Sequence, residues 1–328
     1  MALDDIALFD LDPEWGHGRR IADYLEIPVS PHEERSFEDG EFKVRPLMGV
    51  RNKDVYVVQS LQGDARRSVH DKLCRLLFFI GAVKDASAGR VTAVTPYLAY
   101  ARKDRRTKPR DPVTIRYLAC LLEAVGTDRV VTIDVHNDAA FENAFRCRTE
   151  HLEARKLFVE HLTLLSGHDA LSVVSPDVGG VKRAERLRES LARAHGRDIG
   201  LAFMEKMRSG GIVSGDRLVG DVKDRTVVIL DDLISTGTTM MRAAAACRHA
   251  GCRQVFAVAT HGVFTGAAKD FVASPLFDRI VVTDTLPPFR LPEELISSRL
   301  TVLSAAPLLA EAIARIHGGG SISELLAD

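Results

Sequence analysis

The sequence predicts an α/β protein of two similar domains, each a mainly parallel sheet flanked by helices. Three observations carry that reading. Apolar strand-like runs alternate with longer runs of helical period over most of the chain. A buried strand ending in acid occurs in both halves, at Asp134-Val135-His136 and again at Asp231-Asp232. A chain of 328 residues is long for one domain and comfortable for two.

In chain order, Val55–Gln59 is the first β-branched run that closes on polar residues, and Arg66–Lys84 follows it with helical period. Val91–Pro96 is a second strand. After it, Asp111-Pro112 reads as an N-cap with Pro at the first helical position, opening a helix over Val113–Val125. Val130–Asp134 is a strand and Leu152–Leu165 a helix; Leu171–Asp177 and Val181–His195 repeat the pair. Thr226–Asp232 is a strand, and Met240–Ala250 a helix stopped by Gly251. Gln254–Thr260 and Arg279–Asp284 complete the strand series. The expected domains are 1–150 and 151–299, with a strand and helix in 300–328 that return to the first domain.

Hydrophobic content of 46% and charged content of 27% suit a globular protein with a sizeable core. A net charge of −1 argues against nucleic acid or an acidic membrane surface as partner. No apolar run is long enough to span a bilayer. Met1-Ala2-Leu3-Asp4-Asp5 carries acid where a signal peptide needs base, so a cytoplasmic location is expected. The five cysteines are odd in number and lack zinc or redox spacing, and most lie in apolar helical stretches. Buried free thiols in a reducing cytosol are the expectation.

The string Val227-Val228-Ile229-Leu230-Asp231-Asp232-Leu233-Ile234-Ser235-Thr236-Gly237-Thr238-Thr239 says most about function. Its order is buried strand, acidic pair, hydroxyl-rich turn, helix N-terminus. Such a turn aims backbone N–H groups and hydroxyls at one point, where the helix dipole favours an anion. The two carboxylates can hold sugar hydroxyls or a metal carried with them. Phosphate at one end and vicinal hydroxyls at the other describe a ribose 5-phosphate unit.

Four other clusters are candidates. Tyr100 to Arg110 contains six basic residues between a strand and a helix. It reads as a polyphosphate clamp ahead of a solvated loop, and neutral total charge disfavours a nucleic-acid patch. Phe37-Glu38-Asp39-Gly40-Glu41 reads first as a surface hairpin turn; its aromatic could also stack a purine while the acids accept from an exocyclic amine. Ser175 to Arg183 is a strand, acid, Gly-rich turn and helix start, in which Asp177 could either cap the turn or hold a metal. Glu205-Lys206-Met207-Arg208-Ser209-Gly210-Gly211 reads as an exposed hairpin tip or as a lid bringing cations to a reaction centre.

Together these segments resemble the ribose-phosphate pyrophosphokinase (phosphoribosyl pyrophosphate synthetase) family, from Ser36 to Leu326. Phe37–Glu41 resembles the family's Phe-Ser-Asp-Gly-Glu, and Tyr100-Ala101-Arg102-Lys103-Asp104-Arg105 its Tyr-Ala-Arg-Gln-Asp-Arg/Lys. Asp134-Val135-His136 resembles Asp-Leu-His, Ser175–Arg183 resembles Ser-Pro-Asp-x-Gly-Gly-x-x-Arg, and Ser304–Ile313 resembles Ser-Val-Ala-Pro-Leu-Leu-Ala-Glu-Ala-Ile. The resemblance implies two phosphoribosyltransferase-like domains. It also implies transfer of the β,γ-diphosphate of ATP to the 1-hydroxyl of ribose 5-phosphate, with Mg2+, in a homo-oligomer. Under it Lys206 and Arg208 are catalytic. Phe37, Asp39, Glu41, Arg102, Lys103, Asp104 and His136 bind ATP, while His136 and Asp177 help place the metal. Asp231, Asp232, Ser235, Thr236, Gly237, Thr238 and Thr239 bind ribose 5-phosphate. Departures from the family pattern are Lys103 for Gln, Met207 for Arg, Ser235 for Asp, and Asn137-Asp138-Ala139-Ala140-Phe141-Glu142 in place of a Gln-rich run. A phosphoribosyltransferase would need one such domain and no ATP segment. A non-catalytic regulatory homologue would not need Lys206, Arg208, His136 and Asp232 together. A DNA-binding repressor would need a basic helix-turn-helix.

Overall fold

The computed structural model describes residues 5–167, 169–209 and 212–327. Two compact units divide at Glu153/Ala154, and the chain re-enters the first unit at Ala305. The first unit runs β1 (Ile6–Asp10), α1 (His17–Leu25), β2 (His32–Ser36), β3 (Phe42–Pro46), β4 (Asp54–Val58), α2 (Val69–Asp85), β5 (Arg90–Val94), α3 (Thr114–Ala124), β6 (Arg129–Ile133), α4 (Asp138–Ala144) and β7 (Arg148–Leu152). The second runs α5 (Arg155–Ser166), β8 (Leu171–Ser175), α6 (Val181–His195), β9 (Gly200–Ser209), β10 (Ile212–Val219), β11 (Thr226–Ile234), α7 (Thr238–His249), β12 (Gln254–Gly262), α8 (Ala268–Ala273), β13 (Arg279–Thr283), α9 (Glu293–Arg299) and β14 (Leu300–Leu303). Helices α10 (Ala306–Gly318) and α11 (Ile322–Leu326) belong to the first unit.

The first unit holds a five-stranded sheet in the order β1-β4-β5-β6-β7, with every pair parallel. Strands β1, β4, β5 and β6 are buried on both faces, which is why they read as continuous apolar runs. Val55 and Val57 face a core shared with Leu76, Phe79, Ile80 and Leu118. On the alternate face the Tyr56 hydroxyl donates to the Ile313 carbonyl (3.5 Å), and His317 Nδ1 lies 2.8 Å from Asp54 Oδ2. The second unit holds a seven-stranded sheet, β10-β9-β8-β11-β12-β13-β14, in which only the β9–β10 pair is antiparallel. Val227, Ile229, Val255 and Ala257 pack against Ala243, Ala244 and Cys247 of α7.

Several elements differ from the sequence reading, each for a physical reason. α3 begins at Thr114, and Asp111 caps no helix. Its carboxylate instead accepts from Lys103 Nζ (2.6 Å), Thr107 Oγ1 (2.7 Å) and Lys108 N (2.9 Å), folding the basic loop on itself. α2 begins at Val69 because Ser68 and Asp71 form a capping box. Leu152 belongs to β7, paired with Ile133, so α5 starts later than its apolar period suggests. β11 continues through both acids to Ile234, since its ladder with β12 extends to Gly262. The ribbon β2–β3 and strand β7 have charged sequences, and neighbouring strands rather than propensity make them extended. All five cysteines are free, but only Cys247 is buried, while Cys74 and Cys120 lie on exposed helix faces. Among the described residues no helix is long and apolar enough to cross a membrane.

Candidate active site

In the second unit the site forms where β8 and β11 end and α6 and α7 begin. Asp232 is buried and Asp231 partly so. Arg183 Nη1, from the first turn of α6, reaches Asp232 Oδ1 at 3.5 Å and Asp231 Oδ1 at 3.7 Å. Burial pushes the Asp231 carboxyl well up, the adjacent Asp232 carboxylate adds to this, and Arg183 opposes it. Two carboxylates facing one guanidinium form a strongly acceptor-rich edge, suited to hydroxyl donors and to a hard cation.

The turn after β11 is shaped for an anion. Gly237 has φ 79°, and a Cβ there would lie 2.3 Å from Phe271 Cγ, so the position excludes any side chain. α7 has no side-chain cap and no acid in its first turn. Its first N–H groups have no intrahelical partner and form the dipole's positive end, with Thr238 N donating to Thr236 Oγ1 at 3.4 Å. The Thr236 and Thr238 hydroxyls are 2.9 Å apart at the exposed rim of the turn. Ser235 points elsewhere, with Oγ 2.8 Å from Thr265 Oγ1.

The Gly-rich turn after β8 is held by Ser175 Oγ, which donates to the Asp177 carbonyl (2.6 Å), and by Gly180 N, which donates to Asp177 Oδ1 (3.0 Å). Asp177 therefore caps its own turn with one oxygen. A Cβ on Gly180 would sit 2.6 Å from Ser175 Oγ, so that glycine permits the close approach. Lys206 and Arg208 lie two residues apart on β9, at positions opposite Asp216 and Val213 of β10. Their side chains, and the Gly210-Gly211 pair, lie outside the described residues.

In the first unit, Asp134 follows β6 with φ 40°, and His136 is exposed just beyond it. Asn137 caps α4 through Oδ1 to Ala140 N (3.1 Å), while its Nδ2 donates to Asp104 Oδ2 (2.6 Å). That pair joins the His136 turn to the basic loop, a link across 33 residues that no local pattern announced. Arg102 is exposed, whereas Lys103 is tied to Asp111 and Thr107. The Lys103 ammonium, then the Thr107 hydroxyl, hold the Asp111 carboxyl far below the usual range. At the β2–β3 tip Phe37 N donates to the Glu41 carbonyl (2.8 Å) and Glu41 N to Asp39 Oδ1 (3.0 Å), so one Asp39 oxygen serves the turn. Phe37 is 41% exposed, with the Arg35 guanidinium 5.2 Å from its ring centre.

His136 belongs to the first unit and Asp177 to the second. Among the described residues no three His, Cys, Asp or Glu side chains converge as a ready metal centre. The carboxylates Asp231 and Asp232 still fit magnesium, which takes oxygen donors and binds through one or two carboxylates plus substrate phosphates. His136 is a poorer donor for that ion.

The fold and site thus define an α/β protein with an uncapped-helix anion cradle beside a diacid edge. Residues 6–126 match the model of the N-terminal domain of ribose phosphate pyrophosphokinase, and residues 215–327 match the phosphoribosyl synthetase-associated domain. The ribose-phosphate pyrophosphokinase of Hyphomonas neptunium is 38% identical over 93% of this chain and 94% of its own. That of Vibrio parahaemolyticus is 38% identical over 98% of this chain and 99% of its own. A crystal structure of phosphoribosylpyrophosphate synthetase from Mycobacterium smegmatis superposes with a TM-score of 0.85 at 35% identity, covering 96% of this chain and 99% of that one. The chain belongs to the ribose-phosphate pyrophosphokinase family.

Proposed function

We propose that this chain transfers the β,γ-diphosphate of ATP to the 1-hydroxyl of ribose 5-phosphate, giving phosphoribosyl pyrophosphate and AMP, with Mg2+. The observation that carries the site assignment is the diacid edge of Asp231 and Asp232 next to the uncapped α7 N-terminus. Asp231 and Asp232 accept from the ribose hydroxyls. Thr236, Gly237, Thr238 and Thr239 hold the 5-phosphate through hydroxyls and backbone N–H groups, with Ser235 supporting the turn. Phe37 stacks the adenine, Asp39 and Glu41 accept from its amine, and Arg102 with the Lys103–Asp104 segment meets the phosphates. The 1-hydroxyl loses its proton to solvent and its oxygen bonds to the β-phosphorus as the bond from that phosphorus to the α,β-bridging oxygen breaks, so AMP leaves with that oxygen. Lys206 and Arg208 stabilise the charge that develops on the transferring group. Bound Mg2+ neutralises phosphate charge, and His136 and Asp177 help position it.

The assembly proposed is a homo-oligomer, dimer or higher. Light scattering measures it. A cytoplasmic location, without membrane or nucleic-acid partner, completes the reading. Mass spectrometry of ATP and ribose 5-phosphate incubated with the protein and Mg2+ tests the reaction. AMP with the pyrophosphorylated sugar is expected; ADP, or no turnover, overturns it.

A further inference from the structure

We infer that Thr265 is a positioning residue for ribose 5-phosphate, acting through Ser235 rather than touching the substrate. The inference rests on the ribose 5-phosphate site proposed above. The turn from Ile234 to Gly237 is fastened to the turn after β12 by three bonds in register. Phe264 N donates to the Ile234 carbonyl (3.0 Å), Thr265 N donates to the Ser235 carbonyl (2.9 Å), and the Ser235 and Thr265 hydroxyls are 2.8 Å apart.

The fastening turn is itself held under strain. Phe264 has φ 45°, a left-handed backbone that a bulky residue adopts only when its surroundings impose it. Its ring is buried and packs over Gly262, where a Cβ would lie 2.4 Å from Phe264 Cε2. From below, Phe271 closes on Gly237. The cradle is therefore fixed on one side by an aromatic ring and on the other by the Thr265 clasp. Preorganised N–H groups bind an anion without first being ordered, so loosening the clasp costs affinity for the phosphate. The clasp also gives the Ser235 hydroxyl a partner outside the cradle, which leaves Thr236, Thr238 and Thr239 as its hydroxyl donors. A carboxylate at position 235 could accept from the same Thr265 hydroxyl.

The test is calorimetric titration of ribose 5-phosphate into the full chain with Mg2+, beside the same titration with ATP. Thr265→Val keeps the shape and removes the hydroxyl. It is expected to weaken ribose 5-phosphate binding about five- to tenfold, in the upper part of the range for losing one neutral hydrogen bond, with ATP affinity within about twofold. Thr265→Ser restores tight binding. Ser235→Ala combined with Thr265→Val binds no more weakly than either alone, because the two hydroxyls act as one unit. Wild-type affinity in Thr265→Val, equal losses for both ligands, or additive losses in the double variant overturns the clasp. Ribose 5-phosphate binding by the wild type without turnover overturns the proposed reaction alone. No ribose 5-phosphate binding by the wild type overturns both.

Discussion

The two units run through the same series of elements and treat the same place in opposite ways. β1-α1-β2-β3-β4-α2-β5-α3-β6-α4-β7 matches β8-α6-β9-β10-β11-α7-β12-α8-β13-α9-β14, and sheet order β1-β4-β5-β6-β7 matches β8-β11-β12-β13-β14. The ends of β8 and β11 carry the anion cradle and the diacid edge. Beyond the matching ends of β1 and β4, Lys72 of α2, whose side chain is 2% exposed, lies between Asp12 at 3.1 Å and Asp64 at 2.9 Å. Helix α2 is closed by its own Ser68–Asp71 capping box, whereas α7 is left open. One unit satisfies its strand-end acids and helix end with Lys72 and a capping box, and the other leaves the α7 end without a side-chain cap. A cap is worth about 1 kcal/mol, so the open helix gives up stability to keep its N–H groups available.

The largest expected effect lies in the filled unit. Lys72→Met removes the buried cation between Asp12 and the partly buried Asp64 and is expected to lower unfolding stability by about 3–5 kcal/mol, read by denaturant unfolding. A loss below about 1 kcal/mol would mean that water already screens the cluster. In the open unit, Lys206→Ala is expected to lower kcat by two to three orders of magnitude, about 3–4 kcal/mol, with little change in either KM. A variant whose KM alone rises makes Lys206 an ordinary strand lysine. Asp232→Ala is expected to weaken ribose 5-phosphate binding by about 1.5–3 kcal/mol while ATP binding holds. Equal losses for both ligands in calorimetry would remove the diacid from the sugar site.

Two smaller effects sharpen the contrast. Burial pushes the Asp12 carboxyl up to about 6 against the pull of Lys72. A raised folded-state value means that the native protein takes up a proton that the unfolded chain, with the ordinary value of 3.8, does not. Asp12 therefore adds stability as pH falls through 6, levelling off below 3.8. Burial raises the Asp64 carboxyl too, but Lys72 and the backbone N–H groups of Arg66 and Arg67 prevail and hold it down at about 2. Its contribution is present above 3.8 and is lost as pH falls towards 2. Relative to Asp12→Asn, the wild type is expected to gain on the order of 1 kcal/mol between pH 7 and pH 5. A flat difference across that window contradicts the buried acid. Ser68→Ala is expected to cost at most about 1 kcal/mol and to leave ribose 5-phosphate affinity untouched. Weakened sugar binding in that variant would break the division of labour between the units.

The strand, acidic pair, hydroxyl turn and helix around Asp231-Asp232 were legible because all these parts are contiguous: they follow within thirteen residues, and local geometry alone points them together. The alternation of strand and helix was legible for the same reason, since burial on both sheet faces writes continuous apolar runs. The charged ribbon β2–β3 and strand β7 were not, because nothing in residues such as His32-Glu33-Glu34-Arg35-Ser36 favours extension before a partner strand arrives. Asp111 in front of Pro112 carries the signature of a helix cap. Four donors from the folded basic loop outcompete that role.

By itself, then, the sequence determined the α/β class and the order of strand, acids, hydroxyl turn and helix around Asp231-Asp232, which arise from neighbours along the chain; the acid ends that suggested a repeat, at Asp134 and at Asp231-Asp232, belong to β6 and β11, which hold different places in the two sheets. Tertiary structure alone decided that Arg183 faces Asp232 across 49 residues, that Thr265 clasps Ser235 across 30, and that Asn137 meets Asp104 across 33. It also decided that Lys72 sits between Asp12 and Asp64. Such contacts depend on strand register and helix placement, which collective burial of the whole core fixes, so no local run of residues can encode them.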